Sequence, residues 1–261
     1  MKISVITVCR NAEEEIEKTI LSVINQTYQN FEYIIIDGVS TDNTLSILSQ
    51  YKKFINVLIS EPDHGIYDAM NKGITYATGD IICFMNAGDY YYSCDIFQEV
   101  INSFNKSFPK PDIIYGDTLV RSEDNNENVV SAHRRTLTDF IWRGPICHQS
   151  TFVNRNLFGR GFSRLYHICA DYEWLLYSLI YRNARISYIP RPLSIYQMGG
   201  FSAQNLSLYD QEQSRIILKY LLISIFRVSP KEIISLYDQV GSKNFFIRIA
   251  YLIRLGYLNV K

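Results

Sequence analysis

A chain of 261 residues with 47% hydrophobic and 20% charged residues is long enough and apolar enough to bury one large core, with room for a smaller appendage. Twenty-six basic and twenty-six acidic residues leave no formal net charge, so nothing global argues for nucleic acid or for an acidic polymer as partner. The cysteines (Cys9, Cys83, Cys94, Cys147, Cys169) are odd in number and form no C-x-x-C pair, which reads as reduced residues of a cytosolic protein rather than a disulfide frame or a zinc site.

In chain order, "ISVITV" (3–8) is a strand. "NAEEEIEKTILSVINQT" then carries Ile16, Ile20, Val23 and Ile24 at helical spacing, with acids in its first turn opposing the helix dipole. "FEYIIID" (31–37) is a second strand, and "TDNTLSILSQY" a helix with Thr41 as its cap. "NVLIS" (56–60), "IYDAMNKGITYA" (66–77) and "DIICFM" (80–85) continue as strand, helix and strand. The alternation β-α-β-α-β-α-β predicts an α/β fold with a mostly parallel sheet flanked by helices. Further on, "DIIYGDT" (112–118) and "HQSTFV" (148–153) read as strands, and the charged "RSEDNNEN" (121–128) as a hairpin tip or loop. After about residue 205 the chain turns to Leu, Ile, Tyr and Phe at helical spacing, so the expected division is 1–204 and a C-terminal helical extension, 205–261. The opening "MKISVITVCRN" runs at once into "AEEEIEK" and is not expected to be a secretory leader, and no stretch reaches about 18 uninterrupted apolar residues, so no spanning helix is expected.

Polar clusters stand at the carboxyl ends of all four leading strands: Thr7 and Asn11; "DGVSTDNT" (37–44); "EPDHGIYDAMNKG" (61–73); and "NAGD" (86–89). Gly, Asn and Asp also make ordinary turns. Four clusters at four such ends point instead to one composite site, because ligands of open α/β sheets bind beyond the carboxyl ends of the strands. Its chemistry leans to carboxylates (Asp37, Asp42, Asp63, Asp68, Asp89), with only Lys72 and Arg10 as nearby cations. Clustered hard oxygen ligands suit a hard divalent cation, and Mn²⁺ or Mg²⁺ with coordination left for phosphate reconciles an acidic site with an anionic substrate.

"SVITVCRNAEEEIEKTILSVINQTYQNFEYIIIDGVSTDNT", "SEPDHGIYDAMNKGITYATGDIICFMNAGD" and "HICADYEWLL" together resemble the family 2 glycosyltransferases, above all bacterial enzymes of capsule, O-antigen and exopolysaccharide synthesis. The resemblance covers about residues 1–200, most densely 1–90. It implies the GT-A (Rossmann-like) fold, with 1–90 as the nucleotide-binding half and 91–204 as the acceptor half. It also implies a nucleotide-sugar donor (a UDP-sugar by resemblance alone), Mn²⁺ or Mg²⁺, and inversion at the anomeric carbon. By the same resemblance Thr7, Asn11 and Asp37 hold the nucleotide, and Asn71 and Lys72 lie along it. "NAGD" departs from the family's two or three acids: Asp89 remains as the metal ligand, while Asn86 brings an amide suited to a ribose hydroxyl but no charge. His148 or His167 could add a ligand. Asp171 matches the family's base, with Glu173 as its alternative; by residue type Asp171 also suits the N-cap, and Glu173 the first turn, of a helix whose Trp174, Leu175 and Leu179 face inward. Trp142, His148 and Gln149 stand where acceptor-sugar contacts are expected, and the paired glycine of "QMGGFS" (197–202) suits a loop closing over donor phosphates.

Rival classes fit less well. A sugar nucleotidyltransferase needs a Gly- and Arg-rich loop after the first strand, and a dinucleotide oxidoreductase a G-x-G-x-x-G there, whereas "ITVCRNAEEE" has no glycine. An inactive GT-A-like sugar-nucleotide-binding or scaffold protein remains the alternative that the missing acids motivate. As a helix, "NFFIRIAYLIRLGYLNVK" (244–261) puts Phe246, Ile249, Ala250 and Ile253 on one apolar face within a basic tail. It is expected to pack on its own domain or a homodimer partner, or to lie on the inner face of the cell membrane, where the resembling enzymes extend glycans on a polyprenyl diphosphate. The expected location is the cytoplasm, with peripheral membrane contact.

Overall fold

A computed structural model describes residues 1–122, 126–130, 132–200 and 204–226. Its first half alternates as the sequence predicts: β1 (Ile3–Cys9), α1 (Ile16–Ile24), β2 (Phe31–Asp37), α2 (Thr44–Gln50), β3 (Val57–Ser60), α3 (Ile66–Tyr76) and β4 (Ile81–Phe84). There follow β5 (Tyr90–Tyr91), α4 (Ile96–Lys106), β6 (Ile113–Arg121), β7 (Glu127–Val130), α5 (Leu137–Arg143), β8 (Thr151–Asn154), α6 (Ala170–Tyr181), β9 (Ile186–Gln197) and α7 (Leu206–Phe226). The expected segment 244–261 lies outside the described residues.

One sheet runs in the order β3-β2-β1-β4-β8-β6-β9-β5, with β7 paired to β6. β3, β2, β1 and β4 are mutually parallel, β8 is antiparallel to both β4 and β6, and β6 runs parallel to β9. Both faces of β1, β2 and β4 are covered, which is why these strands read as continuous apolar runs, whereas the edge strand β3 alternates, with Leu58 exposed. Ile6, Val8, Ile34 and Ile36 pack on the face of α3 and α6, while Ile3, Val5, Tyr33 and Ile35 face α1 and α4. Each fully buried Ile contributes about 1.5–3 kcal/mol.

Two polar features sit inside this frame. At the amino ends of the strands, Glu32 is buried and accepts from Lys2 Nζ at 2.6 Å, Ser4 Oγ at 2.5 Å, and Thr78 N and Oγ1 at 2.6 and 2.7 Å. On α7, Glu212 accepts from the backbone N–H groups of His167, Ile168 and Cys169 at 2.7, 2.9 and 3.0 Å, so this helix holds the entry to α6.

Several sequence expectations shift. Asn43, not Thr41, precedes α2 as its cap residue. "HQS" of the predicted strand 148–153 is a 3₁₀ turn, and the strand begins at Thr151. β9 was not expected, since Pro190 and Pro192 interrupt it; register shifts on either side of Asp117 let β6 pair around them.

Candidate active site

The tight turn at "NAGD" is built by local chemistry. Asp89 N–H donates to the Asn86 carbonyl at 3.1 Å, and Gly88 takes φ +98°, where a Cβ would be strained. Thr19, buried on α1, fixes the turn by donating to the Asp89 carbonyl at 2.7 Å and accepting from Gly88 N–H at 3.1 Å. Asn86 and Asp89 thereby line a cavity of about 810 Å³ beyond β4, together with Glu15, Arg135, His148 and Asp171.

Five predicted site residues meet here. Gln149 Nε2 donates to Asp89 Oδ2 at 2.5 Å, and Gln197 N–H donates to Oδ1 at 3.0 Å. The neighbouring His148 places Nδ1 2.9 Å from Asp171 Oδ2 and Nε2 2.9 Å from Asn86 Nδ2. Asp171 Oδ1 is also 2.9 Å from the Tyr67 hydroxyl and accepts from Tyr172 N–H at 2.8 Å. Adjacent residues of one 3₁₀ turn thus hold the two carboxylates, one each. Burial raises the Asp89 carboxyl to about 6 against the hydrogen bonds from Gln197 and Gln149 and the nearby His148; Glu15 adds to the rise.

Asp171 is not the cap of α6; Cys169 takes that place, and Asp171 sits in the first turn. Glu173 is corrected as an alternative base. It is 1% exposed and is held by Arg160 at 2.5 Å, Lys219 at 2.6 Å and the Tyr220 hydroxyl at 2.6 Å, so it ties α6 to α7. Gln149, 3% exposed, lines the cavity with its amide nitrogen given to Asp89. Trp142 falls within α5, but its side chain lies outside the described residues.

The expected nucleotide residues divide. Thr7 has no exposed surface and its hydroxyl donates to the Met85 carbonyl. Asp37 is equally enclosed, accepting from Ser40 Oγ and N–H and from Ser60 Oγ at 2.5, 3.0 and 2.6 Å. As placed, neither offers a side-chain atom to a base; Thr7 ties β1 to the end of β4, and Asp37 fixes the loop that follows β2. Asn71 spends its amide on the backbone of Phe162 in both directions, and Lys72 is drawn to Glu61 at 2.9 Å and to the Pro62 carbonyl. Asn11 is exposed, with Oδ1 accepting from Thr41 N–H at 2.8 Å, and its amide nitrogen has no partner among the described residues.

Sequence reading missed three participants. Glu15 passed as a first-turn acid, although its Oε2 would stand 2.8 Å from a Cβ on Gly88. Tyr67 carries no local signal for a contact with Asp171, 104 residues away. Glu212 lay in an extension whose spacing signalled only packing.

Among the described residues no three His, Cys, Asp or Glu side chains converge as a ready-made metal cage. The residues nonetheless fit Mn²⁺ or Mg²⁺ shared with a diphosphate. Mg²⁺ is characteristically held by one or two carboxylates plus substrate phosphates, and Asn86 Oδ1 is a buried acceptor with no hydrogen-bond partner. Asp89 would supply the carboxylate, its remaining lone pairs still open, with Glu15 at the rim.

A family model, Glycosyl transferase family 2, matches residues 4–167, more than half of the chain. The chain belongs to this family. A PGL/p-HBAD biosynthesis glycosyltransferase of Mycobacterium tuberculosis is 32% identical over 158 residues, which is 59% of this chain and 60% of that protein. The chain thus matches only about 60% of the length of such relatives. S. aureus TarS in complex with UDP-GlcNAc superimposes with TM-score 0.68 at 20% identity, covering 85% of this chain and 67% of the other. The mannosyltransferase PcManGT of Pyrobaculum calidifontis, solved with GDP-Man and Mn²⁺, gives TM-score 0.62 at 15% identity over 98% of this chain and 80% of its own. At these identities the two neighbours establish the GT-A fold. They place this family 2 chain among the α/β glycosyltransferase folds that its alternating strands and helices predicted.

Proposed function

We propose that this chain transfers a sugar, with inversion, from a UDP-sugar to a hydroxyl of a glycan acceptor on a polyprenyl diphosphate, in the synthesis of bacterial surface polysaccharide. The names of the relatives and of the UDP-GlcNAc-bound neighbour support the reaction class and the donor. The observation that carries the reading is Asp171: a carboxylate lining the cavity, held by His148 and Tyr67, in the same hydrogen-bonded turn that holds Asp89. In the transfer the acceptor oxygen forms a bond to the anomeric carbon, the bond from that carbon to the phosphate oxygen breaks, and the hydroxyl proton passes to Asp171. The pair of electrons leaves with UDP. Asp89, with Asn86, would hold the divalent cation, which when bound supplies charge to the departing diphosphate. His148 keeps the receiving oxygen of Asp171 aimed, and Tyr172 N–H holds the other, beside the Tyr67 hydroxyl, whose shorter contact is the Ile168 carbonyl at 2.5 Å.

Asp171→Asn keeps size and shape but takes no proton. Turnover of UDP-sugar with acceptor should fall by about 10²–10⁴ while UDP affinity is unchanged. Retained turnover, or a product of retained anomeric configuration, would remove Asp171 from this role.

A further inference from the structure

Arg135 is a cation without a counter-charge. It follows β7 on the wall of the cavity, half-buried, with Nε donating to the Ala132 carbonyl at 2.8 Å and Nη1 to the carbonyls of Gly144 and Pro145 at 2.8 and 3.4 Å. Its guanidinium lies 5.7 Å from the ring centre of Phe140. Among the described residues, Nη2 has no partner and no carboxylate comes within ion-pair distance. Arg121, Arg160, Arg185 and Arg191, by contrast, each grip a carboxylate, and Arg155, which donates to the Gly79 carbonyl at 2.8 Å, does not line the cavity. The acid nearest in sequence, Asp139, is committed to Thr136 at the cap of α5 and to Arg143 at 3.3 Å. Burial, with help from Arg143, pushes the Arg135 pKa below the usual arginine value, against the opposing pull of Tyr115 and of Asp139, which lies beyond ion-pair distance.

Arg135 is also the one Lys or Arg lining the cavity among the described residues, against the acids Glu15, Asp89 and Asp171. The carbonyls that pin it belong to Gly144 and Pro145, a few residues before His148, which holds Asp171. It therefore stands on the side of the proton acceptor, in the half of the chain opposite "NAGD". A rigid guanidinium with a free edge, aimed by three carbonyls, is a preformed seat for the paired oxygens of a phosphate or a carboxylate.

We propose that Arg135 is the anion-binding residue of the acceptor subsite, so that the acceptor presents a phosphate or a carboxylate group beside its attacking hydroxyl. This rests on the glycosyl-transfer reading above. The anionic group is either the diphosphate that joins the glycan to its carrier or the carboxylate of a uronic acid within the glycan.

The test titrates inorganic diphosphate and, separately, glucuronate into protein saturated with UDP, which fills the donor side. One of the two should bind the wild type, and its identity names the source: diphosphate the carrier linkage, glucuronate the glycan. Arg135→Met should weaken that binding by about ten- to a hundredfold with UDP affinity unchanged. Arg135→Lys, which keeps charge without the fork, should fall between them and guards against a folding defect in the methionine variant. The proposal is overturned if neither anion binds the UDP-saturated wild type, if both variants bind as tightly as the wild type, or if the variants lose UDP affinity instead. Failure of UDP itself to bind would sink the donor reading, and the comparison of wild type and Arg135→Met would then be read on nucleotide-free protein by the same criterion.

Discussion

Glu212 offers the sharpest separation of fold from chemistry. Its Oε1 takes His167 N–H, and its Oε2 takes Ile168 N–H and Cys169 N–H, just before the first turn that carries Asp171. Glu212→Gln leaves a single acceptor oxygen. If that oxygen faces Ile168 and Cys169, two bonds survive without their charge, and the exposed His167 N–H turns to water. Charge-assisted hydrogen bonds contribute about 1.5–3 kcal/mol and neutral ones about 1, so the loss is about 1–3 kcal/mol. Glu212→Ala strands two buried N–H groups at about 1–3 kcal/mol each, or about 2–6 kcal/mol together. At about 2–4 °C per kcal/mol for a chain of this size, the glutamine variant should melt several degrees lower and still fold. Its consequence for function comes through Asp171, because displacement of a reacting group by about 1 Å costs up to about 10²-fold. Steady-state kinetics of Glu212→Gln should show kcat down about ten- to a hundredfold, with UDP affinity unchanged by calorimetry. A variant that melts lower yet turns over normally would show that α7 merely adds stability and does not aim the carboxylate.

Two further outcomes follow from charges away from the cavity. Burial opposes the charge of Glu32, but hydrogen bonds from Lys2, Ser4 and Thr78 prevail and hold its carboxyl at about 2, below its usual value. A depressed pKa stabilises the fold above the unfolded value and is lost as pH falls from about 4.5 towards about 2, so Glu32→Gln should be less stable than wild type at pH 7 by about 1–2 kcal/mol after allowing for solvent screening. In urea titrations that gap should close towards pH 2; a gap independent of pH would refute the assignment. For the tail, Lys219 is committed to Glu173, and the sequence beyond it offers Arg227, Lys231, Lys243, Arg248, Arg254 and Lys261 to draw the chain to an anionic bilayer at about 1 kcal/mol each near the surface. Among the described residues no helix is long and apolar enough to cross a membrane. Sedimentation with anionic liposomes should weaken with salt and disappear on deletion of 243–261; indifference of the full chain to such liposomes would end the peripheral-membrane reading.

The half of the fold up to β4 was legible because β1, β2 and β4 are buried on both faces, β3 is a short apolar run at the edge, and the helices between them carry an apolar stripe, so period and length sufficed. β5, only Tyr90–Tyr91, carries no such signal and exists by pairing with Ile195 and Ser194 of β9. At the site, the residue types were legible but their partners were not. Asp89, Asp171, His148 and Gln149 could each be singled out, whereas the 3₁₀ turn that sets His148 on one carboxylate and Gln149 on the other could not, since "HQSTFV" reads as one strand. The enclosed Thr7 and Asp37 show the converse: polar residues towards strand ends can bond neighbouring strands and loops of the protein itself, and only geometry separates that use from contact with a ligand. Arg135 was passed over because a basic triplet, "HRR", ordinarily reads as solvated surface.

The neighbouring placement of His148 and Gln149 ties the evolution of the donor side to that of the acceptor side. A substitution that reshapes the turn to admit a new acceptor shifts Asp89 along with Asp171, and an insertion between the two residues would put one carboxylate out of reach whichever way the loop settled. Changes at this point are therefore inherited as sets, with the benefit of one conditional on the other. Lineages exploring new linkages would find easier routes through the wall built by β7 and the loop carrying Arg135, where variation leaves both carboxylates in place.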